Sequence, residues 1–150
     1  MSEVKKVGRP KNKPIPSKFQ FEPVAALYAI KHVPTQSLYI GCTTNLQKRM
    51  RVHISKLRKG VHPTLPLQTL WNQCPNEDEW EAICLLTTTT HTKTELHDLE
   101  SSLITRATRE LPEYIMLNTY KNEEDNLATL QKLEKALRVL GETFSYKYKR

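Results

Sequence analysis

At 150 residues, with 23 Lys and Arg against 16 Asp and Glu, the chain has room for one ordinary core plus tails and carries a formal charge of +7 at pH 7. Residues 1–20 hold six Lys or Arg against one Glu and residues 45–60 hold six against none, so the excess charge sits in two blocks and points to a polyanion, nucleic acid or an anionic membrane surface. No segment approaches the ~18 consecutive apolar residues of a spanning helix, and the polar N-terminus lacks a signal peptide's apolar stretch, so membrane is the weaker reading and the expected location is cytoplasmic and not secreted, or nucleoid or nuclear with DNA.

Residues 1–22 are Lys- and Pro-rich with few apolar anchors, a composition expected to stay disordered. Within them Val7-Gly8-Arg9-Pro10-Lys11 is similar to the core of an AT-hook, which makes Arg9 and Lys11 candidate DNA contacts, although ordinary phosphate attraction explains the lysines equally well. Val24 to Lys31 and Ser37 to Gly41 are β-branched, aromatic and aliphatic runs on either side of Val33-Pro34-Thr35-Gln36, the pattern of an antiparallel hairpin. Thr44 is an expected N-cap for a helix with Leu46, Arg49, Met50, His53, Ile54 and Leu57 on one stripe. Lys48, Arg51, Lys56 and Arg58 make that helix basic and are further candidate DNA contacts, and Gly60 closes it.

His62-Pro63-Thr64 opens a shorter helix through Leu67, Leu70 and Trp71, which Pro75 stops. Trp80 to Leu86 reads as a third strand, apolar enough to be expected inside the sheet. Thr94 is the expected cap of a helix that lines up Leu96, Leu99, Leu103, Ile104 and Ala107. Glu100 falls on the same stripe, where a carboxylate is costly unless paired or bound to a cation. Glu95 and Asp98 flank the stripe as solvated charges near a helix start. Tyr114 to Tyr120 forms an extended segment carrying Asn118. Glu123 to Leu140 is a last helix with Leu127, Leu130, Leu133, Leu137 and Leu140 at helical spacing, too short for an autonomous coiled coil and so expected to pack in cis. Tyr146 to Arg150 alternates aromatic and basic residues. Cys42, Cys74 and Cys84 form no CxxC pair and read as reduced thiols, while His91 and His97 have no partner spacing that points to a metal. The organisation is a basic arm (1–22), a central domain (23–121) and a C-terminal helix with a basic tail (122–150).

Ala26-Leu27-Tyr28, then Tyr39-Ile40-Gly41, then Arg49 ten positions after Tyr39 and His53 four later, together with Glu100 and Asn118, resemble the GIY-YIG nucleases from about Ala25 to Lys121. Ala26 stands where the family usually has the first glycine and Leu27 where it has isoleucine, both strand positions with a packing role. The resemblance implies an α/β (α+β) fold, a small three-stranded, mainly antiparallel sheet flanked by helices. It also implies a DNA endonuclease needing Mg²⁺ or Mn²⁺, with no organic cofactor, acting as a monomer or a homodimer.

In that reading Tyr28, beside Tyr39, is the base that activates water, its deprotonation helped by positive charge from the metal site, Arg49 or His53. Arg49 clamps the phosphate with its bidentate fork. Glu100 is the metal ligand and Asn118 steadies the site by hydrogen bonds; His62 is a secondary candidate. Singly, each residue has a plainer reading: cross-strand packing for the tyrosines, a core histidine for His53, and a structural Arg49–Glu100 ion pair in an inactive domain. A nucleic-acid-binding protein that does not cleave is the alternative from a different class.

Overall fold

The computed structural model describes residues 13–118 and 123–141. Four strands in the order β3-β1-β2-β4 form one sheet with helices on both faces. β1 (Ala25–His32) and β2 (Ser37–Thr43) are the expected hairpin, and their register sets Tyr28 opposite Gly41 and Ile30 opposite Tyr39. Because side chains alternate along a strand, these four positions share one face, while Ala29, Ile40 and Leu38 share the other.

β3 (Trp80–Thr88) runs antiparallel to β1 as an outer strand. It is less buried than its composition suggests. Ala82 and Cys84 pack on the Tyr28-side core, while Ile83 and Leu85 alternate with them and are exposed. Opposite Leu27 and Tyr28 the register jumps from Leu86 to Cys84, a bulge beyond which Leu86 is exposed as well. β4 (Ile115–Met116) lies parallel to β2 and makes the sheet four-stranded rather than three-stranded. A strand of two residues has no readable period. Its ladder continues through Leu117 N–H to Leu38 O (2.7 Å) and then through the Asn118 side chain, described below.

α1 (Leu46–Lys59), α2 (Leu65–Gln73) and α4 (Glu123–Val139) cover the Tyr28 face, and α3 (Lys93–Glu110) covers the Ala29 face. Two caps differ from expectation. Asn45, not Thr44, caps α1, accepting from Lys48 N–H at 3.0 Å. Thr92, not Thr94, caps α3 in a reciprocal box with Glu95, which satisfies two otherwise orphaned N–H groups. Gly60 ends α1 with φ 77°, and the bonds from Gly60 N–H to Leu57 O and Val61 N–H to Lys56 O need that left-handed turn.

The core runs from Phe19 through Ile30, Met50, Ile54, Leu67, Leu70 and Trp80 to Leu130, Leu133 and Leu137, all buried. Each large side chain removed from water contributes roughly 1.5–3 kcal/mol. Phe19, on a short 3₁₀ turn (Ser17–Phe19), brings the segment from Lys13 onward into the folded unit, so the packed chain begins before residue 23. Likewise α4 belongs to this core and spends its leucine stripe in cis against α2 and Leu117. Arg9, Lys11, Tyr120 and the Tyr146 to Arg150 tail lie outside the described residues.

Candidate active site

Gly41 is where the two tyrosine-bearing strands become a site. A Cβ at this position would lie 2.5 Å from Tyr28 Oη and 2.6 Å from its Cζ. Only a residue without a side chain lets the phenol cross β2 and reach helix α1. There Tyr28 Oη meets His53 Nε2 at 2.6 Å, and His53 Nδ1 meets His62 Nε2 at 2.8 Å. Thr64 N–H in turn donates to His62 Nδ1 at 3.1 Å.

That last bond fixes every proton in the chain. A backbone N–H can only donate, so His62 Nδ1 accepts and the neutral ring carries its hydrogen on Nε2. His62 therefore donates to His53 Nδ1, and His53 Nε2–H donates to the Tyr28 oxygen. Both rings are held neutral. Burial first, then the Arg49 charge, lowers His53 to about 3 and His62 to about 4. His53 thus gives Tyr28 a hydrogen bond, not the positive charge expected of it. Gln68 anchors the loop that carries His62, accepting from His62 N–H (2.8 Å) and donating to Leu57 O (3.1 Å).

The Tyr28 hydroxyl is pushed well above the ordinary phenol range by burial and by Tyr39, and the Arg49 guanidinium, within hydrogen-bonding reach, pulls the other way. Tyr39 is raised mainly by burial too, and packs edge-on against His53 with ring centroids 5.5 Å apart. Arg49 reaches both phenol oxygens from the exposed side of α1. Lys56 belongs to the same side, since its charge acts on both histidines.

Glu100 stands on α3, beyond the opposite face of the sheet. Among the described residues β4 pairs with Ser37 and Leu38 and no strand pairs with Gly41 to Thr43 on that side of β2, and Glu100 comes within electrostatic range of Tyr28 and Tyr39. Its side chain is 22% exposed, and its ion-pair partner among the described residues is His97, at 3.6 Å. No ion pair joins it to Arg49 among the described residues. A half-open carboxylate that no Lys or Arg neutralises suits a divalent cation. Asn118 is spent on the backbone: its Oδ1 accepts from Ile40 N–H at 3.1 Å and its Nδ2 donates to Ile40 O at 2.7 Å, acting as one more peptide of β4.

Of the other basic candidates, Lys48 and Arg51 are exposed, with Arg51 beside the Pro14 to Glu22 segment. Arg58 is held instead: Nε and one terminal nitrogen grip Glu77 at 2.8 and 2.9 Å, and the remaining bonds go to Lys13 O and Pro14 O. It is a clamp for the N-terminal segment rather than a free DNA contact. Sequence spacing missed Thr64, Gln68, Cys42 and His97. A buried glutamine following a helix-ending glycine is a weak signal, and Cys42 and His97 are 55 positions apart.

The family model for the GIY-YIG catalytic domain matches residues 24–111. Among solved structures, the catalytic domain of homing endonuclease I-TevI is similar at 23% identity, covering 58% of this chain and 91% of that one with a TM-score of 0.51. A mutant form of that catalytic domain, from an intron endonuclease by its description, is similar at 22% identity, covering 65% and 92% with a TM-score of 0.52. At these identities the structures bear on the fold alone. A comparison with curated protein sequences gives no match. The family match spans more than half of the chain and contains Tyr28, Tyr39, Gly41, Arg49, His53 and Glu100, and on that ground the protein belongs to the GIY-YIG family of nuclease-type catalytic domains.

Proposed function

We propose that this protein is a DNA endonuclease that hydrolyses phosphodiester bonds with a divalent cation, Mg²⁺ or Mn²⁺, held by Glu100. The observation that carries the reading is the Tyr28 oxygen, which accepts from His53 Nε2–H and lies within reach of Arg49, so that two donors converge on one atom. Convergent donors are complementary to a phenolate and contribute little to a neutral phenol. Tyr28 is protonated at rest. When further positive charge reaches the rim its own proton passes to solvent, and the phenolate then orients the attacking water and accepts that water's proton.

Arg49, exposed on α1, forks onto the phosphate. When bound, a divalent cation would supply charge compensation at the phosphoryl oxygens and lower the cost of deprotonating water. Glu100 would hold it, and water and phosphate oxygens would complete its shell. His62, Thr64 and Gln68 keep His53 in the donating tautomer. Asn118 fixes the Tyr39-Ile40-Gly41 backbone on which both tyrosines depend. Lys48, Arg51 and Lys56 supply phosphate attraction along α1, with Arg9 and Lys11 as an added arm. DNA is the partner this chemistry serves. A homodimer gains no support, because Leu130, Leu133 and Leu137 at the centre of the α4 stripe are already buried in cis.

The test is cleavage of supercoiled and branched DNA with Mg²⁺ and with EDTA, by the wild type and by Glu100→Gln. Cleavage by the wild type in Mg²⁺ alone is expected, with DNA binding retained by the variant. Metal-independent binding without scission would establish the non-catalytic alternative instead.

A further inference from the structure

Glu100 has two neighbours that the nuclease chemistry does not use. Cys42, one residue past Gly41 on β2, turns to the α3 face, and His97 stands one turn before Glu100 on α3. Cys42 Sγ and His97 Nδ1 are 3.5 Å apart, His97 Nδ1 and Glu100 Oε1 are 3.6 Å apart, and all three ligand atoms lie within 4.8 Å of one another. A tetrahedral Zn²⁺ with bonds of about 2.3 Å to sulfur and about 2.0–2.1 Å to nitrogen and oxygen sets its ligands about 3.5 Å apart for S to N and about 3.4 Å for N to O. Two of the three separations already stand near these values, and the third, sulfur to carboxylate, lies within 4.8 Å.

The donors also differ from what a hard cation selects. Mg²⁺ takes oxygen ligands in an octahedral shell, whereas a thiolate, an imidazole and a carboxylate together select Zn²⁺ or Co²⁺. Three protein ligands leave a fourth position open, and the exposed His97 ring gives a cation a way in. Neither Cys42 nor His97 has another side-chain partner among the described residues that would have to be given up.

We propose that Cys42, His97 and Glu100 form a three-ligand site for Zn²⁺-class cations, which captures the Glu100 carboxylate and so competes with the cation that supports cleavage. The binding half stands on the ligand geometry; the competition half rests on the nuclease reading given above. Zinc bound here is an inhibitor, because the carboxylate that would hold the catalytic cation is then one corner of a tetrahedron closed by sulfur and nitrogen.

Cobalt decides the binding half without DNA. Titrating Co²⁺ into the reduced full-length protein is expected to saturate near one equivalent, giving a near-ultraviolet sulfur-to-cobalt charge-transfer band and the intense visible bands of four-coordinate Co²⁺. Zn²⁺ should bleach both. Cys42→Ser should lose the charge-transfer band, His97→Ala should weaken Co²⁺ binding on the order of 10-fold or more, and Cys74→Ser and Cys84→Ser should keep the full spectrum. Absence of the band in the wild type, or its survival in Cys42→Ser, overturns the site. For the competition half, Zn²⁺ is added to cleavage assays at fixed Mg²⁺. Inhibition that needs about 10-fold more Zn²⁺ in His97→Ala supports the proposal. Equal inhibition of both proteins, or none, overturns competition at this site. A wild type that never cleaves counts against the nuclease reading, and the cobalt spectrum still decides the metal site.

Discussion

The two faces of the sheet treat their histidines in opposite ways. On the α1 face, His53 and His62 are 1% and 8% exposed, every ring nitrogen is hydrogen-bonded, and one backbone N–H dictates all the tautomers. On the α3 face, the His97 side chain is 57% exposed and its polar partners among the described residues are a thiol and a carboxylate. Burial makes the first set rigid and neutral, so it can aim a hydrogen bond at one oxygen but cannot recruit charge. Exposure makes the second set cheap to rearrange and open to cations. Under the proposed nuclease reading the site draws on both properties, because Tyr28 packs on one face and Glu100 belongs to the helix on the other.

Removing a histidine from each face gives the sharpest contrast. His53→Ala leaves a cavity and strands both Tyr28 and His62, and a stability loss of about 2–4 kcal/mol in denaturant unfolding is expected. His97→Ala in metal-free buffer should stay within about 0.5 kcal/mol of wild type. Equal losses would erase the distinction.

Gly41→Ala tests how tightly the closed face is built. The new methyl group must displace the Tyr28 ring from its bond to His53, at a cost of about 1–3 kcal/mol. Cleavage should fall on the order of 10²-fold even in protein that remains folded, since a displacement of about 1 Å is enough for such a loss. A variant with wild-type stability and rate would show that the phenol does not need this gap.

Acid should loosen the closed face before the open one. The folded-state values of His53 and His62, about 3 and about 4, lie below the ordinary histidine value of 6.5, so between them the unfolded chain binds more protons. Stability from this source is therefore complete above about pH 6.5 and is lost as the pH falls from there toward 4. Glu77, held low by its bond to Arg58, adds its own loss further down, as the pH falls below the carboxylate range. Thermal melts from pH 7.5 to 4.5 should show a steeper decline for wild type than for His53→Gln with His62→Gln. Parallel curves would contradict neutral burial.

The smallest expected effects separate the two kinds of basic residue on α1. Lys56→Ala should reduce the salt slope of DNA binding by about 1 with little change in stability. Arg58→Ala should do the reverse, costing about 1 kcal/mol by releasing Glu77 and the Lys13 carbonyl while leaving the salt slope alone.

Legibility in the sequence followed the length of the repeating pattern. The β1–β2 hairpin and α1 were readable because each carries several periods of apolar residues, and Tyr28, Tyr39, Arg49 and His53 came with them. β4 was not, because two residues have no period and its pairing is completed by the side chain of Asn118. β3 misled because it is an outer strand whose alternate apolar residues, Ile83 and Leu85, stay exposed, which an apolar run does not reveal. The Thr92 cap was visible in principle, since Glu95 stands three residues on, but Thr94 sits nearer the leucine stripe. The Cys42 and His97 pairing has no local signature, because it joins a strand to a helix 55 positions further on.

The central claim is that the Tyr28 hydroxyl does chemistry and does not merely fill the closed face. Tyr28→Phe removes that oxygen and keeps the ring, and single-turnover cleavage measured beside equilibrium binding on the same duplex isolates the effect. The account predicts a loss on the order of 10²-fold or more in the cleavage step, with DNA affinity unchanged and a stability cost of about 1 kcal/mol from the stranded His53 N–H. Cleavage at near wild-type rate, with that stability cost present, would contradict it.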